Sequence, residues 1–122
     1  MLNKLKFHTY ICSTNNKEMK NIGYLEEIIL LLVMSMEGDA YGYSVSEAYK
    51  KYMGKSISIS AVHTVLSRME TKGLIKSSMG GATAERGGRR KRIFEATDQG
   101  VAVIAEIKTA RQKLWDLIPD LK

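Results

Sequence analysis

Arg86, Arg89, Arg90, Lys91 and Arg92 stand within seven residues of each other, with only Glu85 beside them to offset the charge. Guanidinium and ammonium groups packed this closely have one obvious use, the neutralisation of phosphate oxygens along a nucleic-acid backbone or in a minor groove. Gly80, Gly81, Gly87 and Gly88 surround the cluster, so the segment that carries it is free to reorganise around a ligand. A charge run alone is usually a solvated surface. What precedes this one changes its meaning.

From Ser60 the sequence places Val62, Val65, Leu66 and Met69 at i, i+3, i+4 and i+7, one buried stripe of an amphipathic helix. The face opposite that stripe offers Ser60, Ala61, Thr64, Ser67 and Arg68, with His63 at the boundary. Small residues early in such a helix permit close approach to base edges, and hydroxyls bond phosphate or bases of either type. Gly73 supplies the left-handed stop. Leu74 to Met79 and Lys91 to Ala96 then read as the two strands of a hairpin whose tip carries the arginines. A groove-sized helix followed by a cationic hairpin is the order of a winged helix-turn-helix. Double-stranded DNA is the expected partner.

The remaining elements frame this unit. Leu25, Ile28, Ile29, Leu32, Val33 and Met36 follow helical spacing, while Leu30, Leu31 and Met34 fill the other faces. A helix apolar on every side must be buried on every side, and a chain this small has little core to do it, which points to a second subunit. After the turn Gly38 to Gly42, Ser44 and Glu47 have the spacing of a capping box. They open a helix that turns Val45, Ala48, Tyr49 and Tyr52 inward and stops near Gly54. Thr97 caps the last helix, expected to run to about Ile118 before Pro119. Along it Val103, Ile107, Ala110, Leu114 and Leu117 alternate spacings of four and three. Two heptads are too few for an autonomous coiled coil, so this seam needs other packing, and the first helix is the candidate.

The fold class is therefore mainly α with a small β-hairpin wing. An unstructured extension is expected over residues 1–18, a winged helix-turn-helix over 19–96 and a dimerisation helix over 97–122, with Met19 an alternative start. A length of 122 residues allows one domain with a small core. A net charge of +6 suits a polyanionic partner. Cys12 is the only cysteine, which suits a reducing compartment. The longest apolar run, Ile28 to Met34, is far short of a membrane span. A soluble, cytoplasmic protein is expected. Cys12, His8 and His63 show no metal-ligand spacing, no cofactor is indicated, and no nucleophile–base set suggests an enzyme.

Three blocks give the chain a resemblance to the PadR family of bacterial transcriptional regulators. They are Ala40–Tyr43, the LSRMETKGLI run from Leu66 to Ile75, and GGRRKRIFEATDQG from Gly87 to Gly100. The likeness spans roughly Gly23 to Pro119. It implies a homodimer presenting two winged helices to a two-fold related operator, usually as a repressor relieved by a small molecule or another signal. It also implies that the C-terminal helix pairs the subunits with help from the first, through residues such as Leu25 and Ile29. The single short C-terminal helix resembles the compact subgroup, some members of which bind planar hydrophobic compounds between aromatic side chains at the dimer interface. Trp115, beside Leu114, is the corresponding candidate, and a tryptophan that merely closes the interface is the plainer reading. One departure is His63, where the family commonly has a tyrosine, so that backbone contact is expected to differ or to depend on pH. A winged-helix adaptor for another protein is the competing reading. RNA is disfavoured because no aromatic cluster stands beside the basic loop to stack bases.

Overall fold

The apolar segment that begins at Ile22 folds as helix α1, Tyr24–Ser35. The computed structural model describes residues 22–80 and 91–119, so the extension 1–18, Met19, Arg86, Arg89 and Arg90 lie outside the described residues. Ile29, Leu30, Leu32 and Val33 are buried, Leu25, Ile28 and Met34 pack half-buried against the core, and Leu31 remains exposed. The chain's own core thus covers most of this helix. This corrects the assignment of Ile29 to a dimer interface: it is 0% exposed within its own chain and has no surface left for a partner.

Helix α2, Gly42–Met53, has Tyr41 as its N-cap and so starts three residues earlier than the Ser44–Glu47 spacing suggested. Ser44 sits in the first turn, where its hydroxyl accepts the Tyr41 N–H at 2.9 Å and donates to the Asp39 carbonyl at 2.7 Å. One short side chain thereby ties the turn to the helix, and Glu47 is left on the surface. Tyr52 is also corrected: expected to point inward, it is 67% exposed, because Val45 and Ala48 already complete the buried face.

Helix α3, Ile59–Thr71, is capped by Ser58, whose hydroxyl accepts from the Ala61 N–H at 3.0 Å. It ends as its sequence requires. Gly73 takes φ +81°, and the Gly73 N–H reaches the Glu70 carbonyl while the Leu74 N–H reaches that of Met69. This pattern satisfies carbonyls the helix would otherwise leave unpaired. Strands β1, Ile75–Met79, and β2, Arg92–Ala96, pair antiparallel with Ser77 opposite Phe94. The Phe94 N–H also bonds the Ala40 carbonyl at 2.8 Å, which fastens the base of the hairpin to the turn before α2.

Thr97 joins the hairpin to helix α4, Asp98–Trp115. Its hydroxyl oxygen accepts from the Gly100 N–H and donates to the Gly73 carbonyl, so one residue caps α4 and pins it to the end of α3. Val103 and Ile104 are buried in the shared core and Ile107 packs at its edge. From Lys108 to Pro119 every residue is exposed. The helix stops at Trp115, and Leu117 and Ile118 continue in a turn with bonds to Leu114 and Trp115. The whole is a mainly helical winged helix-turn-helix with a long C-terminal helix that leaves the body.

Candidate nucleic-acid interface

Four side chains fix the orientation of α3. Val62, Val65, Leu66 and Met69 are each at most 4% exposed, against α1, α2 and β1. That anchoring turns Ser60, His63, Thr64, Ser67 and Arg68 outward, with Ala61 half-buried. Ser60, Thr64 and Ser67 form a continuous polar face, and the Thr64 hydroxyl donates to the Ser60 carbonyl at 3.1 Å, which leaves its oxygen lone pairs directed away from the core.

His63 lies where three elements meet. Its ring stands edge-on to Phe94 of β2, with centroids 6.1 Å apart, and rests on Gly42 at the start of α2. A side chain at residue 42 would fall against the imidazole Nε2, so a larger residue there would push the exposed His63 ring aside. The Lys91 ammonium sits 4.2 Å from the centre of the Tyr41 ring, a cation–π contact at the foot of the wing. Lys91 thus belongs to the same surface as His63 and Tyr41. Tyr41 and Phe94 border this face; both fall within the blocks Ala40–Tyr43 and Gly87–Gly100, although the sequence alone gives neither a contact role.

The remaining cations behave differently. Arg92 donates to the Ser77 hydroxyl at 2.9 Å, and Ser77 in turn donates to the Glu70 carboxylate at 2.8 Å. This chain of bonds crosses the hairpin and braces it against the last turn of α3. Arg68 leans back toward α1, 3.8 Å from Glu26. Glu26 is a buried acid, and it accepts from the Gly23 N–H at 2.9 Å and from the Lys72 ammonium at 3.1 Å. Burial by itself raises a carboxyl's pKa, but the Gly23 N–H, Lys72 and Arg68 outweigh it and hold Glu26 below its ordinary value. The start of α1 is thereby locked to the end of α3. Glu27, next in sequence, binds the Arg111 guanidinium of α4 at 2.7 Å.

Apart from this surface, a cleft of about 350 Å³ opens between the end of α1, β2 and the start of α4, lined by Val33, Met34, Glu37, Ala96 and Val101 among others; Trp115 does not line it. Among the described residues no group of acidic, histidine or cysteine side chains is placed to hold a metal ion, and no helix is long and apolar enough to cross a membrane.

The same fold recurs in known proteins. The model of the transcriptional regulator PadR-like family matches residues 29–106, from the middle of α1 to the middle of α4. The chain belongs to the PadR-like family. An uncharacterized protein from Lysinibacillus sphaericus is 32% identical to it over 87 residues, 70% of this chain and 75% of the relative. A PadR-family transcription regulator from Clostridium difficile is 26% identical, with a TM-score of 0.59 over 79% of this chain and 95% of that one. A PadR-like transcription factor from Bacteroides fragilis shares the fold at 19% identity, with a TM-score of 0.65 over 89% and 95% of the two chains. This PadR-like protein is accordingly a DNA-binding transcriptional regulator and not an enzyme.

Proposed function

We propose that the chain is a cytoplasmic, homodimeric repressor that reads two-fold related half-sites with α3 and its wing, and that a planar hydrophobic effector at the subunit interface releases it. The observation that carries the DNA-reading part is the outward face of α3. Its serines, threonine and His63 are presented by a helix locked on three sides, and the wing base with Lys91 stands directly beside it. Arg86, Arg89 and Arg90 stand just before Lys91 in the sequence and are counted with the DNA-binding cations in this reading.

The exposed end of α4 and the turn that follows it support pairing. Leu114, Trp115, Leu117 and Ile118 are between 49% and 75% exposed, an apolar surface that a monomer would leave in water. Leu25 and Ala110 are the other surfaces offered to a partner, with the edge of Ile107; Val103 contributes from beneath as part of the core. Trp115 stands where an aromatic ligand entering that interface would stack on it, and a shift in the spacing of the two α3 helices would then weaken the grip on DNA.

The test is one titration read two ways. A labelled duplex from upstream of the protein's own gene is bound first, and flat aromatic compounds are then added while anisotropy and Trp115 emission are followed together. Quenching that tracks release of the duplex is the expected result. Quenching with the duplex still bound removes the effector role and leaves DNA reading intact. Failure to bind any duplex, or binding that ignores salt, favours a protein adaptor.

A further inference from the structure

From Ala48 to Met69 the chain contains no acidic residue, yet it carries Lys50, Lys51, Lys55 and Arg68. Arg68 is drawn toward Glu26, Lys76 pairs with Glu95, and Arg111 pairs with Glu27. Lys50, Lys51 and Lys55 are exposed, and among the described residues none of them makes an ion pair or hydrogen bond through its ammonium. Three exposed cations within six residues, with no acidic residue among them, make a locally positive surface that suits a polyanionic partner.

Their position in the fold says where that partner would lie. Lys50 and Lys51 occupy the last turn of α2, and Lys55 follows Gly54, which ends the helix in the left-handed conformation. The linker after it is held to α2 by the buried Ser46, whose hydroxyl donates to the Ile57 carbonyl at 2.8 Å, so it enters α3 with a fixed geometry. The lysines therefore stand beside the first turn of α3. The wing base meets the opposite end of α2, through the Lys91 ammonium over the Tyr41 ring and the Phe94 N–H on the Ala40 carbonyl. Twelve residues of helix, about 18 Å, separate the two ends. A B-DNA major groove is about 12 Å wide, with a phosphate backbone on either side of it. Cations at the two ends of α2 bracket that width.

We infer that Lys50, Lys51 and Lys55 form a second phosphate-binding corner that grips the DNA backbone across the major groove from the wing. The inference rests on the reading that α3 enters the groove. Lys50 and Lys51 also complement the partial negative charge at the end of α2. Lys55 lies beyond the helix and has no such role, which makes it the discriminating residue. The Lys51 ammonium lies 5.2 Å from the centre of the exposed Tyr52 ring, which holds it at the surface of the corner.

The test compares the wild type with the triple variant Lys50→Gln, Lys51→Gln, Lys55→Gln and with the single variant Lys55→Gln, on one duplex across a salt series. Thermal melting of each variant checks that the fold is kept. The triple variant is expected to bind roughly ten-fold or more weakly at low salt, and its dependence of log K on log salt should flatten by about 0.9 for each phosphate no longer neutralised. Lys55→Gln should flatten the slope without moving the melting temperature. Ethylation of phosphates should interfere with wild-type binding on both sides of the groove, and the triple variant should lose interference on one side only. A triple variant that melts normally and binds with unchanged slope and interference pattern overturns the corner while leaving the DNA reading in place. A wild type that binds no duplex overturns both.

Discussion

Glu26 shows how one residue ties recognition to the rest of the molecule. Its carboxylate is buried, bonded to the Gly23 N–H and to Lys72, and close to Arg68, so it fixes the beginning of α1 against the end of α3. Replacement by glutamine removes the charge and keeps the shape, and should lower stability by about 2 kcal/mol, the scale of a hydrogen bond to a charged group. Because the folded carboxyl lies below its ordinary value of 4.5, this contribution is present above that pH and is lost as pH falls through the lower folded value. Denaturant melts of wild type and Glu26→Gln should therefore differ by a constant amount near neutrality and converge in acid. A gap that persists below the titration of the carboxyl would show that packing, not charge, holds this joint. None of this was legible in the sequence. Glu26 reads as a helix-start acid, and its side-chain partners on α3 are more than forty residues away. The same distance hid the approach of Arg68 to Glu26, so that Arg68 reads in isolation as a base-contacting residue.

At the scale of elements, α3 was the most legible part of the chain. A stripe at i, i+3, i+4 and i+7 leaves little freedom in which face is buried, and all four of its members are in the core. The wing base followed from the Gly73 stop and from the two short segments that read as strands on either side of the glycine-rich loop. The element least well read was α1. A helix apolar on every face does not say which face meets its own chain and which meets another, and Ile29 fell on the wrong side of that ambiguity. Tyr52 failed for a related reason, since an amphipathic aromatic suits a surface as well as a core. The face of α3 carries its own expectation. Thr64→Ala and Ser67→Ala remove hydroxyls that are exposed and touch no neighbouring element, so neither should change thermal stability appreciably. A loss of about 1–3 kcal/mol in the preference for the operator over a scrambled duplex is expected where the hydroxyl meets a base. Competition binding with the two duplexes measures it, and an unchanged preference in both variants removes these residues from base reading.

The molecule as a whole has a body built on one buried apolar core and a C-terminal arm whose apolar residues lie outside that core. Leu114 and Leu117 are 62% and 75% exposed, so changing both to glutamate should leave the fold of one chain intact. In a paired molecule the same change sets four carboxylates against one apolar seam. Light scattering should then show a dimer for the wild type and a monomer for Leu114→Glu, Leu117→Glu, with melting temperature little altered. A wild type that is monomeric at micromolar concentration would rule out pairing through this arm. Loss of the dimer should also weaken operator binding far more than it weakens binding to random DNA, because two half-sites are no longer held by one molecule.

Cleavage protection on the DNA upstream of the protein's own gene decides whether paired α3 helices and their wings read an operator. Two protected patches are expected, related by two-fold symmetry and centred about ten base pairs or a multiple of that apart, the spacing of two helices in successive major grooves on one face of the duplex. They should fade together when Leu114 and Leu117 are changed to glutamate. A single unsymmetric patch, or protection that survives in the monomer with the same extent, would overturn the paired reading.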